Sequence, residues 1–410
     1  MLYMILKVNS QINKLIISVL NKYFKLSKPR RDFIINILLL FLSIKGRLNF
    51  LQFGRFGNHK EQSYRQNFEK HFDFLNFNKQ IILNSCNKHI IIAFDPSYIS
   101  KSGKETYGLD KFWSGCASQV KLGLEIGGIA AIDIENNTAM HLEAIQTPTF
   151  KDLETQNISL VDWYADLIVS RKDTLLQLSV YNVVDAYFSK FLYVKKLTDN
   201  GFHIISRLRS DADLKYLYNG LKTGKRGRPK AYSGKIDFKN IDKNIFSLFD
   251  ENENECCYQA IVYCKSLKRK IKLVYVLEKN QKASYKLYFS TDLELDAELI
   301  LTYYRSRFQI EFLYRDAKQH TGLNDCQARS ENKLYFHFNA SLSAINLAKA
   351  EHWLNIPKKE RGSFSMTDIK TMYHNMLLLE RFIEVFAINP YILKNNKYVK
   401  ELINFGKIAA

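Results

Sequence analysis

His89-Ile-Ile-Ile-Ala-Phe-Asp95-Pro96 and Asn182-Val-Val-Asp185 decide the fold. Each is a short, unbroken apolar run that stops at an acid, the pattern of a strand buried in the middle of a sheet. Between them, Ile126 to Glu135 and Ala139 to Ile145 flank the turn residues Asn136-Asn137 and predict a hairpin. A helix is expected over Leu160 to Leu178, another from Ala186 to Leu197 closed by Asn200-Gly201, and a strand over Phe202 to Leu208. Strands alternating with helices predict an α/β fold built on a mixed sheet.

Outward from that centre the character changes twice. Residues 1–88 read as a helical, basic, DNA-binding region: up to Ile90 the chain carries 15 Lys/Arg against 4 Asp/Glu. A helical bundle with a solvated basic face is the plainer alternative. The apolar run Phe33 to Ile44 is about half the length of a bilayer span and is expected to be a buried helix. Residues 89–209 form the first part of the core, and 210–290 a β-rich insertion with runs at Cys257–Tyr263, Ile271–Leu277 and Tyr285–Ser290. Within 291–330 one long helix is expected to run to about Gln319, with Thr291 and Glu294 as a capping box. Residues 331–410 close the chain as a helical C-terminal region, with helices over Leu334–Leu354 and Thr367–Phe386.

Composition narrows the class. With 410 residues, 46% apolar and 13% aromatic, the chain has enough to bury a large core, which excludes a mostly disordered protein. A net charge of +19 calls for a polyanionic partner, nucleic acid first. The six cysteines include no C-x-x-C pair, which points to a reducing cytoplasm.

Asp95 and Asp185 sit where open α/β sheets bind ligands, beyond the carboxyl ends of their strands. Two such acids suit a shared divalent cation, since Mg²⁺ takes hard oxygen ligands. The stretch Tyr303 to Lys318 adds Tyr304, Arg307, Glu311 and Lys318 at spacings of three, four and seven, with Arg315 close by. On a continuous helix these share a face. Cations there hold phosphates while Glu311 completes a metal site; an exposed amphipathic helix with i,i+4 charge pairs explains the spacing equally well. Asp133 and Asp292 are the rival metal ligands. Lys101 and Lys104 follow Asp95 and are expected to meet the DNA backbone. Arg226-Gly-Arg228-Pro229, in a run of seven Lys/Arg without an acid from Lys215 to Lys235, is expected to contact DNA phosphates; it resembles an AT-hook core, with a plain basic loop as the alternative. Trp113 and Trp353 are expected in the core.

These residues resemble a bacterial insertion-sequence DDE transposase, specifically the insertion-sequence-4 family. Its Y-(2)-R-(3)-E-(6)-K signature is matched without a gap by Tyr304, Arg307, Glu311 and Lys318, after Asp95 in Ala-Phe-Asp-Pro-Ser and Asp185 in Val-Val-Asp-Ala-Tyr. Ala186 and Phe308 depart from the glycine and tryptophan common in relatives. The resemblance covers roughly 45 to 355. It implies a ribonuclease-H-like mixed-sheet catalytic core in which Asp95, Asp185 and Glu311 are both catalytic and metal ligands for two Mg²⁺ or Mn²⁺ ions. It implies DNA contacts by Tyr304, Arg307, Lys318 and Arg315, cleavage at transposon ends with strand transfer into target DNA, and in relatives a hairpin intermediate. The implied partner is double-stranded DNA, the terminal inverted repeats and the target, held by a homodimer in the synaptic complex of a bacterial cytoplasmic protein with no membrane role. The competing functions are a decayed end-binding protein or repressor, and a metal-dependent nuclease on the same core.

Overall fold

The computed structural model describes residues 11–220, 230–279, 284–389, 393 and 396–408. In chain order come α1 (Gln11–Tyr23), α2 (Lys28–Ser43), α3 (Phe50–Phe56), α4 (Glu61–Phe68), α5 (Phe74–Ser85), β1 (Ile90–Ser100), β2 (Asp110–Ser114), β3 (Gln119–Asp133) and β4 (Thr138–Gln146). Then follow α6 (Phe150–Thr155), α7 (Leu160–Val169), α8 (Lys172–Leu175), β5 (Tyr181–Val183), α9 (Phe191–Asp199), β6 (His203–Leu208), β7 (Leu214–Leu217), β8 (Tyr232–Lys235), β9 (Ser247–Glu251), β10 (Glu255–Cys264), β11 (Arg269–Glu278) and β12 (Tyr285–Ser290). Helices α10 (Ala297–Ser306), α11 (Gln309–His320), α12 (Glu331–Lys349), α13 (Met366–Val385) and α14 (Lys397–Asn404) complete the series. The architecture is mixed α/β with helices at both ends of the chain. Among the described residues no helix is long and apolar enough to cross a membrane. The chain forms two compact units, one from Met1–Lys88, Pro96–Thr149 and Ile310–Ala410, the other from His89–Asp95 and Phe150–Gln309.

In the first unit the two terminal helical regions share one core. The expected buried helix is α2, with Phe33 through Ile35 and Ile37 through Ser43 enclosed. Its last carbonyls, Phe41 O and Ile44 O, accept hydrogen bonds from the buried Lys370 ammonium on α13, a cation placed at the negative end of a helix. The hairpin forms as β3 and β4, paired from Ile126↔Gln146 to Asp133↔Thr138 with a bulge between Ile129 and Ala130. Among the described residues the other edge of β4 meets no strand; helix side chains take its place. Asn339 Oδ1 accepts the Ala144 N–H at 2.8 Å and Asn339 Nδ2 donates to Ala144 O at 2.9 Å. Asn346 does the same for His141, at 2.7 Å each way, while Lys349 Nζ reaches Ala139 O and Asn78 Nδ2 reaches Leu142 O. This is why α12, enclosed almost throughout, carries polar residues: each one at the seam answers a backbone group that burial would otherwise strand.

In the second unit β1, β5 and β6 are parallel neighbours, and β6, β12, β11, β10, β7 and β8 continue antiparallel, with β9 beside β10. The segment read as β-rich thus adds its strands to the same sheet edge as β6. Two expectations are corrected. The helix expected over 291–319 is two helices, α10 and α11, parted at Arg307-Phe308. The Arg307 N–H is shared between Tyr303 O and Tyr304 O at 3.2 Å, and Phe308 N reaches back only to Arg305 O, so the ladder tightens and lapses there. The capping box does not form either, because the helix begins at Ala297 and Thr291 Oγ1 is spent on Ile204 N at 2.8 Å.

Replacing Asn339 with Leu strands both polar groups of Ala144. Urea unfolding should show a loss of about 3 kcal/mol or more, as each buried orphan costs about 1–3 kcal/mol; a loss below about 1 kcal/mol would mean the seam is not holding β4. Lys370 gives a pH test. Burial pulls its ammonium down to about 7, far below its ordinary value. From pH 7 towards 10 the unfolded chain binds the extra proton, so this group makes stability rise with pH. Thermal unfolding across that range should show a shallower rise in Lys370→Met than in the parent.

Candidate active site

The site is built on register. Ile92 pairs with Asn182 and Ala93 with Val183, and these in turn with Ile204 and Ile205. Val184 N–H bonds to Ile205 O at 3.1 Å and Asp185 keeps an extended backbone, so the same offsets continue past the last pair. They set Asp95, Asp185 and Arg207 level across three adjacent parallel strands. Ala93, Val183 and Ile205 share a face, and two residues on the three charged groups share it again. One more strand over, Tyr288 of β12 stands opposite Arg207.

Each support is rigid. Phe94, before Asp95, packs with ring centroids 5.3 Å from Tyr164 and 5.4 Å from Phe188. Asp185 caps the turn Ala186–Phe188, its Oδ1 accepting the Tyr187 N–H at 2.9 Å, and its carbonyl accepts Ser206 Oγ at 2.8 Å. The Tyr304 ring lies 4.9 Å from Tyr288. Burial raises the Tyr304 phenol, while Arg307 and Arg207 pull the other way. Arg307 Nη1 stands 3.7 Å from Asp95 Oδ1, with side-chain exposures of 14% and 20%. That is beyond hydrogen-bond length, but the two charges face each other in a partly desolvated place.

The remaining predicted residues divide. In the first turn of α11, Glu311 is half-buried, and Lys318, seven residues on, shares its face of that helix. Lys318 Nζ donates to Ser97 Oγ at 3.0 Å, two residues past Asp95 in β1. Arg315 is exposed, pairs with Asp316 at 3.2 Å and lies over the Phe312 ring. Lys101 donates to the Cys326 carbonyl and burial lowers its ammonium, whereas Lys104 is exposed. Arg226 and Arg228 lie outside the described residues. Trp113, expected in the core, is 59% exposed; it stands on the outer face of the short strand β2, which the sequence reading did not find.

Both rival acids are committed elsewhere. Asp133 accepts from Asn87 N, Asn136 N and Asn136 Nδ2 at 2.7 to 3.0 Å, and Asp292 from Tyr181 OH and Glu294 N. Asp95 and Asp185, level and on one face, offer the hard oxygen donors a divalent cation takes. Among the described residues no three His, Cys, Asp or Glu side chains are drawn together as a cation cage.

Arg207 escaped the sequence reading. Its signal was there: Phe202-His-Ile-Ile-Ser-Arg207 is a third apolar run ending in a charge. Among the described residues no carboxylate pairs with its guanidinium.

Residues 167–347 match the family model of the transposase DDE domain. The matched span takes in Asp185, Arg207, Tyr304, Arg307, Glu311 and Lys318, and Asp95 precedes it. No curated protein matches the chain. The match supports a DDE transposase, an enzyme whose substrate is DNA.

Proposed function

We propose that the chain is a DDE transposase of the insertion-sequence-4 type, with a ribonuclease-H-like core that cleaves DNA at transposon ends and joins them to a target. The carrying observation is the shared register of Asp95 and Asp185 on adjacent parallel strands, beside a stretch that matches the transposase DDE domain. Asp95, Asp185 and Glu311 would hold two Mg²⁺ or Mn²⁺ ions. Bound there, such ions supply the charge that activates a water or 3′-hydroxyl and stabilises the leaving oxygen of an in-line displacement.

The chain's own part is positioning. Arg307 neutralises Asp95 at 3.7 Å and presents a planar fork suited to two phosphate oxygens. Arg207, level with Asp185, adds a further cation beside the acids, and Lys318, braced on Ser97, is a second candidate phosphate contact. The half-buried Tyr304 phenol stays protonated and donates to phosphate. Lys101, Lys104, Arg226 and Arg228 extend the DNA path, and a homodimer would hold the two ends together. Short inverted repeats around the reading frame, with a target duplication outside them, are what this reading expects of the flanking DNA.

Asp95→Asn and Asp185→Asn should each abolish cleavage of duplexes bearing those repeats, while gel-shift affinity stays within about threefold, because affinity comes mainly from phosphate contacts. Cleavage surviving in either variant sinks the assignment; a parent that binds but never cuts is a repressor. Arg307→Ala and Lys318→Ala should each weaken binding of the cleaved end by about 1–3 kcal/mol and lower the log–log salt slope by about one. Slopes equal to the parent's in both would reduce these cations to solvated surface.

A further inference from the structure

Beside Asp185 lies a groove that nothing above uses. Helix α9 joins the parallel strands β5 and β6, so it runs back against them and starts at their carboxyl ends, where the acids stand. Helix α7 lies alongside it in the same direction, with Asp166 of α7 paired to Lys196 of α9 at 2.7 Å. The starts of the two helices, Val161 on one and Phe191 and Leu192 on the other, meet around a hollow of about 430 Å³. Tyr187 and Lys190, from the turn between β5 and α9, complete its wall. The wall is firm: the Tyr187 N–H bonds to Asp185 Oδ1 at 2.9 Å, and the Phe188 ring next to it packs 5.6 Å from Tyr164. Yet Tyr187 is 46% and Leu192 52% exposed.

Position and charge identify the occupant. Through Tyr187 the groove continues directly from Asp185, so a group seated in it adjoins whatever that acid holds. Lys190 alone is charged among the residues that line it, its ammonium 4.0 Å from the centre of the Tyr187 ring, and Lys268 stands 4.6 Å from that of Phe191. The acid in the first turn of α7, Asp162, is taken up by Ser159, whose Oγ donates to it at 2.7 Å. Apolar walls, an exposed aromatic ring and an ammonium suit a group with a flat base and a phosphate, which is a nucleotide. Inside a duplex the bases are stacked on one another, so the nucleotide that fits is an unpaired one.

We propose that the groove between the starts of α7 and α9 seats an unpaired nucleotide of the DNA next to the phosphate being cut, with its base against Tyr187 and Leu192 and its phosphate on Lys190. This rests on the DNA-cleaving function proposed above and adds to it a contact for single-stranded ends.

The test is anisotropy of three labelled probes: a blunt duplex, the same duplex with three unpaired thymidines at one end, on the 3′ or the 5′ strand, and that overhang with its bases removed. Each is titrated at rising salt with the full chain, Tyr187→Ala, Tyr187→Phe and Lys190→Gln. Both positions are exposed, and matching thermal unfolding secures the folds. The parent should hold the thymidine overhang about tenfold more tightly than the blunt or baseless probe. Tyr187→Ala should lose that preference at unchanged blunt-end affinity, and Tyr187→Phe should keep it. Lys190→Gln should lower the log–log salt slope for the overhang by about 0.7, the share of one single-strand phosphate, and leave the blunt slope alone. A parent without preference for either overhang, or a preference that survives Tyr187→Ala, overturns the groove proposal and, with end cleavage intact, leaves the transposase standing. Weakened self-association in Tyr187→Ala with the overhang preference unchanged overturns it in favour of a contact between copies. A parent that neither binds DNA nor cuts ends overturns both.

Discussion

The parallel pairing of β1, β5 and β6 is the constraint on which the site depends. β5 has only three residues, yet its two neighbours fix its register by hydrogen bonds on both edges. Because side chains alternate, a slip of one residue would carry Asp185 to the other face of the sheet, away from Asp95 and Arg207. Burial forbids the slip, since it would also turn Val183 outward, where its strand neighbours Ala93 and Ile205 would lose their apolar layer. The chemistry is thus placed by packing beneath it: an apolar row two residues back sets the charged row in front.

That charged row is balanced. Two carboxylates side by side repel, and a cation stands near each: Arg307 at 3.7 Å from Asp95, and Arg207 level with Asp185. Such an arrangement tolerates the acids before any ligand arrives and presents forks to a polyanion that approaches them. In the first unit, the seam of Asn339, Asn346 and Lys349 occupies the edge of β4 that faces away from β3, so that edge is unavailable for pairing with another chain.

Much of this was legible in the sequence. The buried strands announced themselves as apolar runs leading to a charge, although β1 does not end at Asp95-Pro96 as expected but continues to Ser100, and the hairpin was marked by Asn136-Asn137, because burial and turn geometry act on neighbouring residues. The break at Arg307-Phe308 was not legible, since no Gly or Pro marks it and both residues suit a helix; only the hydrogen-bond ladder reveals it. Trp113 misled because tryptophan is usually enclosed, and β2 is too short to show a period. Arg207 needed knowledge of which strands are neighbours, which is a property of long-range pairing. The DNA-contact reading of Arg226 and Arg228 falls outside the described residues.

The most direct test is whether Asp95 and Asp185 act as one oxygen-donor site. Mn²⁺ bound to the protein in the presence of duplex DNA is counted by electron paramagnetic resonance for the parent, for Asp95→Asn, for Asp185→Asn and for the double variant. A shared site predicts that each single substitution removes most of the tight binding and that the double removes little more. Parental stoichiometry and affinity in both single variants would contradict it.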